Sequence, residues 1–182
     1  MSTTSTTTSL EQRVALLEDL EAIRRLKTLY GEYWDGGWPG TRGSGERLAG
    51  LFVPDGTWDA RPVVPDVLVG RAQIAAACDG MLTANATDAS GAPRAKAGLS
   101  WHLAANPRID VDGDEAVGTF TGLIASSEAD DGRALWCAGR YTDRFVRTDD
   151  GWRFRSVTYD YAFYTPYDGP GWILERLREG AE

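Results

Sequence analysis

The chain has one histidine, His102 in SWHLAANPRIDV, so any imidazole chemistry must pass through it. A neutral imidazole accepts a proton near neutral pH. A carboxylate on its other nitrogen fixes the tautomer and stabilises the imidazolium. On a regular strand His102 shares a face with Ser100 and Ala104, both small, which leaves space above the ring for a ligand or for an opposing side chain. The plainer reading is a hydrogen-bonded histidine of the core or surface. The candidate carboxylate is Asp35 in YGEYWDGGW, among Tyr33, Trp34 and Trp38. Buried there, it would need a partner, and a protonatable imidazole is a natural one. The plainer reading of Asp35 is a turn-former before Gly36. Tyr30 lies five residues earlier, about 140° away on an ideal helix, so the two share a face only where the helix loosens.

Aromatic residues cluster towards the C-terminus, where YDYAFYTPYDGPGW holds four of the seven tyrosines. Strand alternation would put Tyr159, Tyr161 and Phe163 on one face with Arg155 and Val157. Any one ring reads as packing. As a group they suit a cavity wall that stacks on an apolar ligand and offers hydroxyls, and Tyr33, Trp34, Trp58 and Trp101 join them as candidate substrate-binding residues. In GRYTDRFVR, Arg144 and Arg147 read as solvated charges, and Arg140 as a candidate inward-pointing oxyanion donor.

Positioning these groups falls to two kinds of element. LEQRVALLEDLEAIRRLKTLYGEYWD carries Leu16, Leu20, Ile23, then Leu26 or Leu29 or Tyr30, and Tyr33 at helical spacing. Ser9 and Gln12 form a capping-box pattern at its start, and GGWPGTRGSG stops it near Asp35. ERLAGLFVPDGTWDA reads as a short helix, a turn at Pro54-Asp55-Gly56 and a strand through Trp58. VLVG is a further strand, GRAQIAAACDGMLTA a helix and NATDASGAPRAKAG a loop. From Leu99 onward, long apolar-alternating stretches are separated by Asp112-Gly113, Asp130-Asp131-Gly132 and Asp149-Asp150-Gly151, each a hairpin signal. The four strands make an antiparallel meander, and GPGWILERLREG a terminal helix or docking tail. Helices first and sheet second predict an α+β domain, the sheet wrapping the long helix into a cone with an apolar interior.

Composition narrows the function classes. The chain has 182 residues, 19 basic against 27 acidic, for a net charge of −8. That acidity repels phosphate backbones and argues against nucleic-acid binding. No apolar run approaches the roughly 20 residues of a membrane span, and no signal peptide is expected. Residues 1–9 read as a disordered Ser/Thr tail and 10–182 as a single domain. Cys78 and Cys137 read as reduced, buried thiols of a cytoplasmic protein. One histidine and no cysteine cluster argue against a zinc site, and no cofactor is implied.

Together, AIRRLKTLYGEYWD, LAGLFVPDGTWDA, GRAQIAAA, SWHLAANPRIDVDGDEAV and GRYTDRFVRTDDGWRF resemble the SnoaL-like branch of the nuclear transport factor 2-like superfamily. The resemblance implies a cone-shaped, cystatin-like α+β barrel enclosing an apolar pocket, and an oligomer, dimer or trimer, of like chains. Within that superfamily the pattern is similar to scytalone dehydratases, bile-acid dehydratases and hexachlorocyclohexane dehydrochlorinases. Those enzymes place an aspartate at the end of the first helix and a histidine on the first meander strand, where Asp35 and His102 stand. Tyr30 matches a tyrosine of the bile-acid enzymes. Departures are Tyr161 in place of a bile-acid-enzyme arginine, Ala125 in place of an acidic residue, and Tyr30 in place of a dehydrochlorinase lysine. The resemblance implies a cofactor-independent, dehydratase-type lyase acting on a hydrophobic, cyclic or polyketide-like small molecule. His102, Asp35 and Tyr30 would be catalytic. Its rivals are an isomerase or cyclase on the same dyad, and a non-catalytic ligand-binding or oxygenase-partner subunit.

Overall fold

The computed structural model describes residues 9–36, 39–86, 90–92, 99–127 and 133–168. Most of the loop after Ala86, the Asp130-Asp131-Gly132 turn, Trp38 and the tail from residue 169 lie outside the described residues.

The first helix, α1, spans Leu10–Trp34. Its start is closed by the capping box: the Gln12 backbone N–H donates to Ser9 Oγ at 3.1 Å and the Ser9 N–H to Gln12 Oε1 at 2.9 Å. These bonds satisfy two amide hydrogens that a helix start leaves unpaired. Burial falls on the second half, at Ile23, Leu26, Lys27, Tyr30, Gly31 and Trp34. Leu16 was expected to open the apolar stripe, but it is exposed, as are Leu10, Val14 and Leu17. Only the later turns of α1 lie against the core.

Helix α2 (Gly45–Gly50) leads into strand β1 (Phe52–Asp59), and β2 (Leu68–Val69) precedes helix α3 (Arg71–Ala86). Pro54-Asp55-Gly56 is not a turn. It lies within β1, in an irregularity of the pairing between Phe52 and Thr57, so the chain runs on as strand. The meander follows as β3 (Ser100–Asp112), β4 (Glu115–Ser127), β5 (Ala134–Thr148) and β6 (Gly151–Pro166). Gly113 and Gly151 adopt φ of 59° and 93° at two of the tight turns, which is the backbone that Asp-Gly signals supply.

The six strands form one curved sheet in the order β2-β1-β6-β5-β4-β3, with β1 parallel to β6 and every other pair antiparallel. The architecture is α+β, as the sequence predicts. Along most of β4 and β5 burial alternates, with Ala116, Gly118, Phe120 and Gly122 turned inward opposite Phe145, Asp143, Tyr141 and Gly139. Ile23, Leu48, Phe52, Ile74, Phe154 and Val157 are fully buried in the core between helices and sheet. Each such side chain contributes about 1.5–3 kcal/mol of burial free energy.

Candidate active site

Helix α1 stops one residue before its carboxylate. Asp35 caps the helix, its backbone N–H still donating to Gly31 O at 2.9 Å, but its own φ and ψ of −73° and 137° are extended. Departure from helical geometry removes the angular objection to Tyr30 and Asp35 facing one space. The extended chain then meets β3: Ser100 N–H donates to Gly36 O at 3.2 Å and Ser100 Oγ to Trp34 O at 3.2 Å. Gly31 lets the two elements close up, since a Cβ there would sit 3.3 Å from His102 O.

Asp35 Oδ1 accepts two hydrogens from one residue, the His102 backbone N–H at 2.8 Å and the ring Nδ1 at 2.9 Å. A carboxylate can only accept, so in the neutral ring Nδ1 carries the proton and Nε2 carries the lone pair. Trp34 lies beside the imidazole, ring centroids 6.3 Å apart, and stacks on Trp58 at 5.1 Å. Trp58 Nε1 donates to the Tyr30 hydroxyl at 2.7 Å.

These groups line a cavity of about 540 Å³. One wall is Tyr30, Trp34 and Trp58; Val63, Val64, Met81 and Leu82 close another side. The sheet supplies cross-strand rows. One runs His102, Ile124, Cys137, Tyr164, and the next Ala104, Gly122, Gly139, Tyr161. The glycines in the second row let rings lie flat on the sheet; a Cβ on Gly122 would run into the Tyr159 ring. Tyr159 donates to Gly122 O at 3.2 Å and packs edge-on against Tyr161 at 4.6 Å. Burial raises both phenols well above their ordinary range, so they stand as neutral donors. The Cys137 thiol is likewise pushed up to about 11 by burial, which leaves it a poor nucleophile.

Residues 15–158 match the model of the SnoaL-like domain family. The chain belongs to that family. Two solved structures with a TM-score of 0.68 share the architecture. One is a candidate scytalone dehydratase from Novosphingobium aromaticivorans DSM 12444, 22% identical, covering 87% of this chain and 94% of its own. The other is a type 2 hexachlorocyclohexane dehydrochlorinase, 18% identical, covering 88% and 96%. A nuclear transport factor 2-like protein with a cystatin-like fold, from Novosphingobium aromaticivorans, is 25% identical with a TM-score of 0.58, covering 96% and 98%. At these identities the likeness carries the fold, not the reaction. No curated protein matches the chain.

In this SnoaL-like domain the sequence-predicted site residues divide. His102, Asp35, Tyr30, Trp34, Trp58, Tyr159 and Tyr161 come together at the cavity, Asp35 through its bond to the ring. Four others lie elsewhere. Tyr33 turns away because Trp34, about 40° from Tyr30 around the helix, takes the cavity side, while Tyr33 sits about 60° the other way and faces Arg47 at 5.9 Å. Trp101 is 59% exposed: with His102 inward, its neighbour on β3 must point outward. Arg140 is exposed opposite Thr121 on the same outer face, so it offers the cavity no oxyanion donor. Phe163 is displaced by a bulge. Ala138 pairs with Phe163 but Gly139 with Tyr161, so Ala162 is an extra residue. Phe163 therefore packs on Trp136 at 5.2 Å outside the cavity, and Tyr164 takes the inward place. A second irregularity frees Arg155 to face Asp55 at 3.5 Å while Val157 stays buried.

The sequence reading reached Tyr164 only as one of four clustered tyrosines, and it missed Tyr141 and Ser126 on the wall and a second ionic pair behind it. Lys27 on α1 approaches Asp143 on β5 at 2.9 Å, their side chains only 2% and 0% exposed. The ammonium lies 3.3 Å from the Tyr141 ring centroid and 4.3 Å from that of Tyr30. Burial lowers Lys27 to about 8 and raises Asp143 to about 6, each partly opposed by the other's charge. A lysine three residues before Tyr30 on the apolar stripe was the available signal. No group of three or more His, Cys, Asp or Glu side chains is placed to hold a metal among the described residues, and no helix there is long and apolar enough to cross a membrane.

Proposed function

We propose that this SnoaL-like protein is a cofactor-independent lyase of dehydratase type, acting on a hydrophobic, cyclic or polyketide-like molecule. The observation that carries the reading is the 2.9 Å contact of Asp35 with His102 Nδ1 at the wall of an apolar cavity. Nε2 of His102 takes a proton from carbon next to an activating group. The C–H electron pair forms the new double bond as the adjacent C–O bond breaks. The proton on Nε2 then passes to the departing hydroxyl, so water leaves and the neutral imidazole returns. Asp35 keeps the tautomer and stabilises the imidazolium meanwhile. Tyr161 suits a hydrogen bond to the departing oxygen, because Tyr159 spends its hydrogen on Gly122. The dehydratase and dehydrochlorinase among the structural neighbours, both named for eliminations, support the same class.

A panel of hydroxylated cyclic ketones, followed by mass spectrometry, tests this directly. Loss of one water from a member of the panel is expected, and His102→Ala should slow it by about 10²- to 10⁴-fold. A product of unchanged mass would make the protein an isomerase or cyclase on the same base. Undiminished turnover by His102→Ala would end the dyad mechanism.

A further inference from the structure

The aromatic lining of the cavity forms a belt that starts at the base. From the His102 imidazole the rings of Trp34, Tyr30 and Tyr141 follow one another at 6.3, 6.4 and 5.9 Å between centroids. Tyr159, Tyr161 and Tyr164 continue it at 4.4, 4.6 and 6.4 Å. The two ends of the belt stand on one cross-strand row, His102, Ile124, Cys137, Tyr164, all of which line the cavity. That row is three strand spacings long, about 14 Å along the sheet. Between its ends it offers only an alkyl chain and a thiol, which bonds weakly. A ligand lying along it therefore meets strong hydrogen-bonding side chains at its two ends.

Tyr164 holds its place through the bulge at Ala162. With Tyr161 inward, a regular strand would turn Phe163 inward as well and send Tyr164 to the outer face. The extra residue reverses that order, so that Phe163 packs on Trp136 outside and Tyr164 lines the cavity. A bulge disrupts the ladder locally and re-aims side chains. Its effect here is to set a phenol where a phenyl ring would stand. The two rings have nearly the same shape, so the exchange alters hydrogen bonding and little else.

We infer that Tyr164 is a specificity-determining residue that recognises a substrate oxygen at the end of the molecule remote from His102, and that the bulge at Ala162 presents it. That role rests on the cavity being the substrate site, and it narrows the substrate to a flat, fused-ring molecule oxygenated at both ends. The end that gives up the proton lies at His102, the apolar middle lies along Ile124 and Cys137, and the far oxygen bonds the Tyr164 hydroxyl. A phenol donates to a carbonyl or ether oxygen and accepts from a hydroxyl, so either kind of far oxygen serves. A bare hydrocarbon end gains nothing from it.

Binding, not turnover, tests this. 2-Naphthol and 2,6-dihydroxynaphthalene share one ring system and differ by the far hydroxyl, and each is titrated into the full chain by calorimetry. The wild type should bind the diol about 2- to 10-fold more tightly than 2-naphthol, the range of one neutral hydrogen bond. Tyr164→Phe should abolish that ratio and leave 2-naphthol affinity and the unfolding midpoint little changed. Phe163→Tyr combined with Tyr164→Phe keeps the composition but moves the phenol to the outward position, so it too should lose the ratio. His102→Ala should weaken both probes together and keep the ratio. Equal affinities in the wild type, no binding of either probe, or an undiminished ratio in Tyr164→Phe overturns the recognition. So does a ratio lost in His102→Ala, which would put the discriminating group at the base. A ratio kept by the exchange variant overturns the part given to the bulge. Failure of the lyase reading shows instead as turnover that survives His102→Ala, which these titrations do not register.

Discussion

Of the nitrogen–carboxylate contacts that helix α1 and its cap make to the sheet, two lie about two turns apart and are built to opposite ends. Lys27 meets Asp143 on β5 in a sealed setting, with aromatic rings over the ammonium and no further polar partner for either charged group among the described residues. Asp35 meets His102 on β3 with both the ring and the backbone N–H of one residue, and the ring lines the cavity. The sealed pair has no free end and ties helix to sheet. Among the described residues the open pair leaves one nitrogen unspent, and a spare lone pair beside an apolar space is what chemistry needs. Burial alone does not mark a functional pair; an unused valence facing a cavity does.

The largest effect should come from breaking the sealed pair on one side. Lys27→Ala or Asp143→Ala strands a buried charge and is expected to cost about 3–5 kcal/mol in denaturant unfolding. A loss below about 1 kcal/mol would mean that the pair is hydrated and the contrast with the open pair false. On the open pair, Asp35→Asn keeps the shape but not the carboxylate. Turnover of a confirmed substrate should fall by roughly 10²-fold, with little change in unfolding midpoint. A variant that loses stability but not rate would exchange the roles assigned to the two pairs.

Replacing both sealed partners, Lys27→Met with Asp143→Leu, should be neutral or stabilising by about 1–4 kcal/mol. The same variant exposes a pH signature. Asp143 is raised from its ordinary 3.8 to about 6, so its contribution is full at low pH and is lost as pH rises through about 6. Lys27 is lowered from 10.5 to about 8, so its contribution is full at high pH and is lost as pH falls through about 8. The wild type should therefore compare worst with the double variant between pH 6 and 8, where both groups are charged. A difference that is flat across pH 4 to 10 would contradict this, measured by urea unfolding of both proteins. The smallest effect is Arg140→Ala, on the outer sheet face: within about 0.5 kcal/mol in stability, and with no change in substrate affinity.

The helix caps, the Asp-Gly turns and the change from helical to alternating pattern are local signals, and they made the α+β order legible. What joins Asp35 to His102 is not local. Spacing placed Tyr30 and Asp35 on different faces, and only the extended backbone at Asp35 undoes that, so the pairing with His102, which a buried carboxylate's need for a partner suggested, rested more on family resemblance than on spacing. Trp101 was legible and misread: if His102 faces inward, alternation sends its neighbour out. Lys27 could be seen on the buried stripe, but the carboxylate that makes its burial tolerable lies on a distant strand. Phe163 could not have been placed, because a bulge depends on pairing that one strand's sequence does not reveal.

That extra residue in β6 works like a shift of reading frame in three dimensions. Upstream of Ala162 the odd-numbered tyrosines face the interior; downstream the even-numbered Tyr164 does. A relative lacking the insertion would carry its counterpart of Tyr164 one position earlier in the chain. Comparison of this wall between members of the family therefore needs a one-residue gap at Ala162. Aligned without it, interior residues are matched to exterior ones from there to the end of the strand, and a phenol in the cavity is mistaken for a phenyl ring outside it.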